Sequence, residues 1–297
     1  MLPVTPARRR PLVVPLPRHR DELCHDAAVR LLCTVRDCRL PLERHERRYI
    51  CANSHSFDVA RSGYVNLLQP QDRRSKNPGD TPEAVAARRR FLERGFGDPL
   101  VEAIVRVLPM RAGEALLDAG CGEGHHTDAL RRAYGVEACG VDISVPAIEL
   151  AAKRYLDCEW IVANADRFLP YANGSFDAVT SITARLSVDE FHRVLAPGGT
   201  LLVAIPGADD LVELREAVQG ERVERDRVAR TVTLFAPKFE LQRHELARHV
   251  VQLDRDAIQD VLTSTYRGLR RSEQERLQEL GEMDVTLARD LLLFRRT

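Results

Sequence analysis

Residues 114–144 read EALLDAGCGEGHHTDALRRAYGVEACGVDIS. A short apolar run, 114–118, ends in an acid, a second run after Tyr134 ends in Asp142, and a helical pattern lies between them. Strand, glycine-rich turn, helix and strand make the βαβ unit of a nucleotide-binding sheet. Gly120, Gly122 and Gly124 follow the first strand, where the absence of side chains lets backbone approach a ligand closely. A dinucleotide-binding loop shares this G-x-G character and seats its pyrophosphate on the helix N-terminus. Here the glycines follow Asp118, a strand-end carboxylate suited to a cationic group. Cys121 reads as a small residue that fits the loop, and His125 and His126 as helix-capping or solvent-facing.

S-adenosylmethionine carries an ammonium and a sulfonium and no phosphate. The stretch LLDAGCGEGHH resembles the first motif of class I methyltransferases. In that family the second acid, here Asp142, binds both ribose hydroxyls, and a bidentate acceptor at a strand end suits a two-hydroxyl ligand. IVANADRFLPYANGSFDAVTSI, residues 161–182, supplies a third strand, a turn and a fourth strand; the family's "AD" pair, here Ala165 and Asp166, flanks the adenine. FHRVLAPGGTLLVAIPG, 191–207, matches its helix, PGG turn and fifth strand. The resemblance implies an α/β fold, a Rossmann-like seven-stranded sheet, binding S-adenosylmethionine through Asp118, Gly120, Gly122, Glu123, Gly124, Asp142, Ile143, Ala165, Asp166 and Asp210.

The chain has 297 residues, 44% hydrophobic and 30% charged, which fits a small module plus a larger core. No run approaches the roughly 18 apolar residues that span a bilayer, and MLPVTPARRRPLVVPLPRHRDE at the start lacks the apolar stretch of a secretory signal. We expect a mobile tail over 1–28, a zinc-binding module over 29–70, a linker and helix over 71–105 and the methyltransferase domain over 106–297. Seven cysteines without a signal peptide suggest thiols or metal ligands in the cytoplasm rather than disulfides. The net charge of zero conceals an asymmetry: residues 1–100 hold 19 Lys+Arg against 12 Asp+Glu, the remainder 25 against 32. A basic N-terminal part hints at phosphate contact, although a solvated surface explains it as well.

CTVRDCRLPLERHERRYICANSH, 33–55, brings three cysteines and a histidine close together. Structural zinc takes four thiolate or imidazole ligands, commonly as two short pairs joined by a hairpin. Cys51 and His55 form a C-x3-H pair, and Cys33 and Cys38 a C-x4-C pair at the outer edge of the usual spacing. Between them RLPLERHERRYI reads as strand, polar turn and strand, with His45 exposed in the turn. Unrelated buried thiols remain an alternative, and Cys24 or His25 could replace one ligand.

RLPLERHERRYICANSHSFDVARSGYVNLL, followed by NPGDTPEAVAARRRFLERGF, resembles the zinc module and linker of bacterial large-subunit ribosomal RNA guanine-N1-methyltransferases. Members of that family methylate a guanine in a 23S rRNA hairpin loop, and some confer macrolide resistance. The family's ligands are Cys-x2-Cys and Cys-x3-His, so Cys38, Cys51 and His55 carry over directly and Cys33 does so if Arg36 and Asp37 are an insertion. The resemblance implies a structural zinc ion and an rRNA hairpin partner, with Arg73, Arg74, Lys76, Arg88, Arg89 and Arg90 as phosphate contacts; a homodimer is a further expectation.

The chain departs from the family in places. GFG stands where Gly-His-Tyr is common, with Gly97 in the tyrosine's place; Arg185, in ITARL, stands where proline would; Asp210, in PGADDL, replaces a histidine. Arg185 is a candidate substrate contact, and Asp210 and Asp166 are candidate acceptors for the guanine N1 proton. STYRGLRR keeps Thr265 and Tyr266 without the family's nearby tryptophan. Three readings stay open: an rRNA guanine-N1-methyltransferase, a methyltransferase of the same scaffold acting on a small molecule, and a cofactor-binding protein that has lost turnover.

Overall fold

The computed structural model describes residues 30–73, 75, 78–220, 224–265 and 281–297. The expected N-terminal tail, Cys24, His25, Arg74, Lys76 and Tyr266 lie outside them.

The N-terminal module is a three-stranded antiparallel sheet of β1 (Leu42–His45), β2 (Arg48–Cys51) and β3 (Ser56–Asp58). The polar stretch anticipated as a turn is a two-residue hairpin loop, Glu46 and Arg47, with His45 opposite Arg48 and Leu42 opposite Cys51. His45 is exposed there. The next strand, β4 (Val65–Asn66), leaves the module for the large sheet. Then follow α1 (Pro82–Glu93), α2 (Asp98–Val107), β5 (Ala115–Ala119), α3 (His125–Tyr134), β6 (Glu137–Asp142), α4 (Val145–Arg154) and β7 (Glu159–Val162). The chain continues through β8 (Phe176–Ile182), α5 (Val188–Val194), β9 (Leu195–Pro206), α6 (Val212–Gln219), α7 (Val228–Phe235), β10 (Phe239–Leu253), α8 (Arg255–Thr265) and β11 (Met283–Arg296).

The large sheet runs β10-β11-β9-β8-β5-β6-β7-β4. β11 is antiparallel to both neighbours and the remaining pairings are parallel. Seven of these strands are the expected sheet. The eighth, β4, was not expected, because two residues carry no readable periodicity. All five residues of β5 are buried, as a strand covered on both faces requires. From β5 the chain builds β6 and β7 to one side and β8 and β9 to the other, so the topological switch point lies at the carboxyl end of β5, where open α/β sheets bind ligands.

One apolar cluster runs through both parts, joining Cys33, Leu42, Cys51, Phe57 and Val65 to Leu117, Val141, Ile161 and Tyr171. Backbone bonds from Leu32 N to Pro170 O (2.9 Å) and from Ala172 N to Arg30 O (3.0 Å) close the joint. The module is thus packed and hydrogen-bonded against the sheet. Among the described residues no helix is long and apolar enough to cross a membrane.

Candidate active site and metal centre

Residues that end β5, β6 and β8 wall a cavity of about 870 Å3, near the top of the range of roughly 300–1,000 Å3 usual for small-molecule sites. The glycine loop is its floor. Gly120 and Gly124 both have φ 85°, a left-handed conformation that other residues adopt only under strain. A Cβ on Gly124 would lie 2.5 Å from Cη2 of the buried Trp160. Gly124→Ala is therefore expected to destabilise the protein by at least about 1–2 kcal/mol from backbone strain alone. Thermal unfolding checks this; an unchanged midpoint would contradict the loop geometry.

Asp142 ends β6 half-buried and holds the loop from below. Its Oδ2 accepts from Gly122 N (3.0 Å) and its Oδ1 from Ser144 N (2.8 Å). Each oxygen keeps a second lone pair, so the pair of acceptors for a ribose diol is in place. Burial raises its pKa above the ordinary carboxylate range.

Asp118, anticipated as a cation partner, is 1% exposed on the cavity wall and accepts one hydrogen bond on each oxygen. Thr127 Oγ1 donates to its Oδ2 (2.6 Å) and Thr180 Oγ1 to its Oδ1 (3.0 Å), so it fastens α3 and β8 to the loop. Its charge acts on the cavity. Glu123 caps α3, accepting from His125 N at 3.0 Å. Burial pushes Asp118 up to about 6 and Glu123 up to about 7. Because these folded pKa values exceed the ordinary ones, the stability the two groups contribute is present at low pH and lost as pH rises through about 6 and about 7. A cationic ligand favours the ionised forms. S-adenosylmethionine affinity should therefore weaken as pH falls through that window, with protons released on binding, and calorimetry in buffers of different ionisation enthalpy reads both. A pH-independent affinity would contradict this assignment.

Ile143 and Ala165 line the same cavity. Asp166 is exposed and its Oδ2 lies 3.4 Å from Arg185 Nε, so the expected adenine acceptor and the expected substrate arginine form a pair at the cavity wall. Asp210 is 6% exposed and already committed: Ala288 N donates to its Oδ1 at 2.9 Å and the Arg289 guanidinium pairs with the same oxygen. Through Oδ1 it anchors β11.

The arginine run also differs from expectation. Arg88 lies over the glycine loop, with Nη1 3.5 Å from where a Gly122 Cβ would be; it donates to Asp80 Oδ2 (2.6 Å) and Ser264 O (3.1 Å). Arg89 pairs with Glu93 at 2.9 Å, and Arg90 with Asp260, fastening α1 to α8. Arg73 is exposed. Where the family has tyrosine, a Cβ on Gly97 would meet Leu92 Cδ2 at 2.6 Å and His125 Nε2 at 3.3 Å. His125 and His126 are half-buried and pack edge to face with Nε2 of both buried, and burial pushes His126 down to about 3. Cys121 is buried, and burial raises its thiol pKa well above the ordinary value, as suits a packing residue. The cavity wall also includes Thr265, His249 and Arg289. The two last were not anticipated. Alternation along β10, where 245, 247, 249 and 251 are half-buried between exposed neighbours, was the readable signal for His249.

In the module, the side-chain ligand atoms of Cys33, Cys38, Cys51 and His55 lie within 4.8 Å of one another. Cys38 Sγ to Cys51 Sγ is 3.8 Å, and His55 Nδ1 is 3.4 Å from Cys33 Sγ and 3.5 Å from Cys51 Sγ. A zinc tetrahedron with Zn–S of about 2.3 Å and Zn–N of about 2.0 Å has S–S edges of about 3.8 Å and S–N edges of about 3.5 Å. The residues fit the ion. Arg36 and Asp37 are exposed at the tip of the longer knuckle, where Cys38 N donates to Val35 O (3.0 Å) and Asp37 takes φ 63°; two extra residues are thus absorbed without moving either thiol away. Burial pushes Cys33 up to about 12, whereas the Leu40 backbone holds Cys38 near 7.

Residues 116–199 match the family described as Methyltransferase domain, and residues 32–76 match that described as RlmA, N-terminal, a zinc ribbon. The "23S rRNA (guanine(748)-N(1))-methyltransferase" of Streptomyces fradiae is 34% identical over 260 residues, 84% of this chain and 92% of its own length. A protein of Micromonospora griseorubida named for guanine-N1 methylation of 23S rRNA is 35% identical over 264 residues, 81% of this chain and 85% of its own. Another so named, from Bacillus subtilis (strain 168), is 34% identical over 260 residues, 82% and 89%. With relatives of this similarity aligned along most of their length, and both its ribbon and its catalytic core matched, the chain belongs to the family of 23S rRNA guanine-N1-methyltransferases, S-adenosylmethionine-dependent enzymes with an N-terminal zinc ribbon.

Proposed function

We propose that this protein transfers the methyl group of S-adenosylmethionine to N1 of a guanine in a 23S rRNA hairpin loop, and so works in the cytoplasm. The observation that carries the reading is the ribbon's attachment: it shares one core with the methyltransferase sheet, and Ser75, Pro78 and Gly79, soon after β4 in the sequence, are on the cavity wall. Arg36, Arg44, Arg47, Arg48, Arg61 and Arg73 are exposed along this part. An arginine-bearing platform leading to a methyl-transfer site suits a folded polyanion, since arginine contacts phosphate bidentately. RNA enzymes of this kind reach bases in loops, which can be extruded from the stack.

S-adenosylmethionine supplies a methyl carbon already activated by its sulfonium. The protein's part is alignment. Asp142 holds the ribose, Arg88 offers a cation to the carboxylate end above Gly122, and Ala165 and Asp166 border the adenine. Four ribbon ligands keep the RNA platform folded around zinc. Incubating the protein with methyl-labelled S-adenosylmethionine and unmodified 23S rRNA should place about one methyl per rRNA molecule. No incorporation, with the cofactor still tightly bound, would overturn the reading and favour the small-molecule or non-catalytic alternative.

A further inference from the structure

Polar atoms from three elements on the wall of this cavity are buried without a hydrogen-bond partner among the described residues: Nε2 of His126 on α3, Nε2 of His249 on β10 and Nε of Arg289 on β11. Buried polar groups are seldom left so unless something else completes them. His249 and Arg289 belong together. His249 is opposite Leu287 and Ala247 opposite Arg289, which makes His249 and Arg289 diagonal neighbours on one face of an antiparallel pair, within reach of a single planar ligand. Arg289 is already fixed at its other end, Nη1 pairing with Asp210 and donating to Ala288 O at 2.7 Å, and its buried Nε–H is a donor left to fill.

Burial and then the charge of Arg289 lower the pKa of His249 below its ordinary value. Of the charged groups around it, Arg289 bears on it directly, Asp210 in the loop before α6 offsets that guanidinium, and His126 stays neutral. With its proton on Nδ1, the neutral ring presents Nε2 as an acceptor beside an arginine donor. That pairing complements the O6 and N1–H of guanine. Adenine presents the reverse, a donor amine beside an unprotonated ring nitrogen.

We propose that His249 is the acceptor of the guanine N1 proton and that Arg289 holds O6, with Asp210 as the positioning residue behind it; this rests on the RNA reading given above. As N1 bonds to the methyl carbon and the carbon–sulfur bond breaks, the N1 proton passes to His249 Nε2. Electron density gathering on O6 is met by Arg289, the cofactor departs as a neutral thioether, and the imidazolium returns its proton to solvent.

Single-turnover methylation of 23S rRNA by wild type and His249→Gln, followed from mildly acidic to alkaline pH, tests this. Loss of a positioned base should slow the variant about 10²- to 10⁴-fold at neutral pH, with S-adenosylmethionine affinity retained as the check on folding. The deficit should close as pH rises, because guanine N1 then ionises unaided; Arg289→Gln should be slow without that recovery. A His249→Gln rate equal to wild type, or a loss that is constant across pH, overturns the proposal alone. A hairpin carrying inosine at the methylated position keeps O6 and N1–H and should be methylated; its rejection would also overturn the proposal. RNA left unmethylated by the wild type overturns the RNA reading itself and this proposal with it.

Discussion

Cys51→Ser should leave the protein without zinc and abolish methylation of 23S rRNA. Cys51 ends β2, is buried in the core shared with the large sheet, and its Sγ lies 3.8 Å from Cys38 Sγ and 3.5 Å from His55 Nδ1. Structural zinc contributes on the order of 10–16 kcal/mol of apparent binding energy in small zinc modules, all of it folding energy. Without the ion, two thiols and an imidazole are left unfilled and the ribbon loses its registration. A displacement of about 1 Å in substrate alignment can cost about a hundredfold in rate, and loss of the ribbon exceeds that. S-adenosylmethionine binding should persist, because the cavity floor is built from β5, β6 and the α3 loop. Metal analysis, calorimetry and methylation on one preparation separate these outcomes. A metal-free wild type, or full activity in Cys51→Ser, would contradict the platform role.

Asp142→Ala should have the second largest effect. A hydrogen bond to a charged group is worth about 1.5–3 kcal/mol, and two to a ribose diol together imply a loss of at least about a hundredfold in cofactor affinity. The same substitution releases Gly122 N and Ser144 N, which both rest on this carboxylate. Asp142→Asn keeps one acceptor and should fall between wild type and alanine. Equal affinities across the three proteins would show that Asp142 orders the loop without touching the ligand.

These two residues were legible from the chain because their contacts are local: a strand-end acid after a G-x-G loop, and two short ligand pairs across one hairpin. The remainder of the site depends on distant pairings. Asp118 is satisfied by Thr180 from another strand, and Asp210 by Ala288 and Arg289 from the last strand of the sheet. His249 and Arg289 meet only through the β10–β11 register, which alternation suggests but does not align. Likewise β4 is too short to show a period, yet it fixes the ribbon to the sheet. The departures at Arg185 and Asp210 acquire partners in Asp166 and Arg289, and Gly97 stands where a Cβ would collide with Leu92. They therefore read as a rebuilt wall rather than as decay.

The most direct test of the account is to treat unmodified 23S rRNA with the protein and S-adenosylmethionine and then map arrests of reverse transcription. A methyl on N1 blocks the Watson–Crick edge, so the account predicts one new arrest beside a guanine in a hairpin loop, absent when the cofactor is withheld. An arrest at another base, or methylated RNA with no arrest, would contradict transfer to guanine N1.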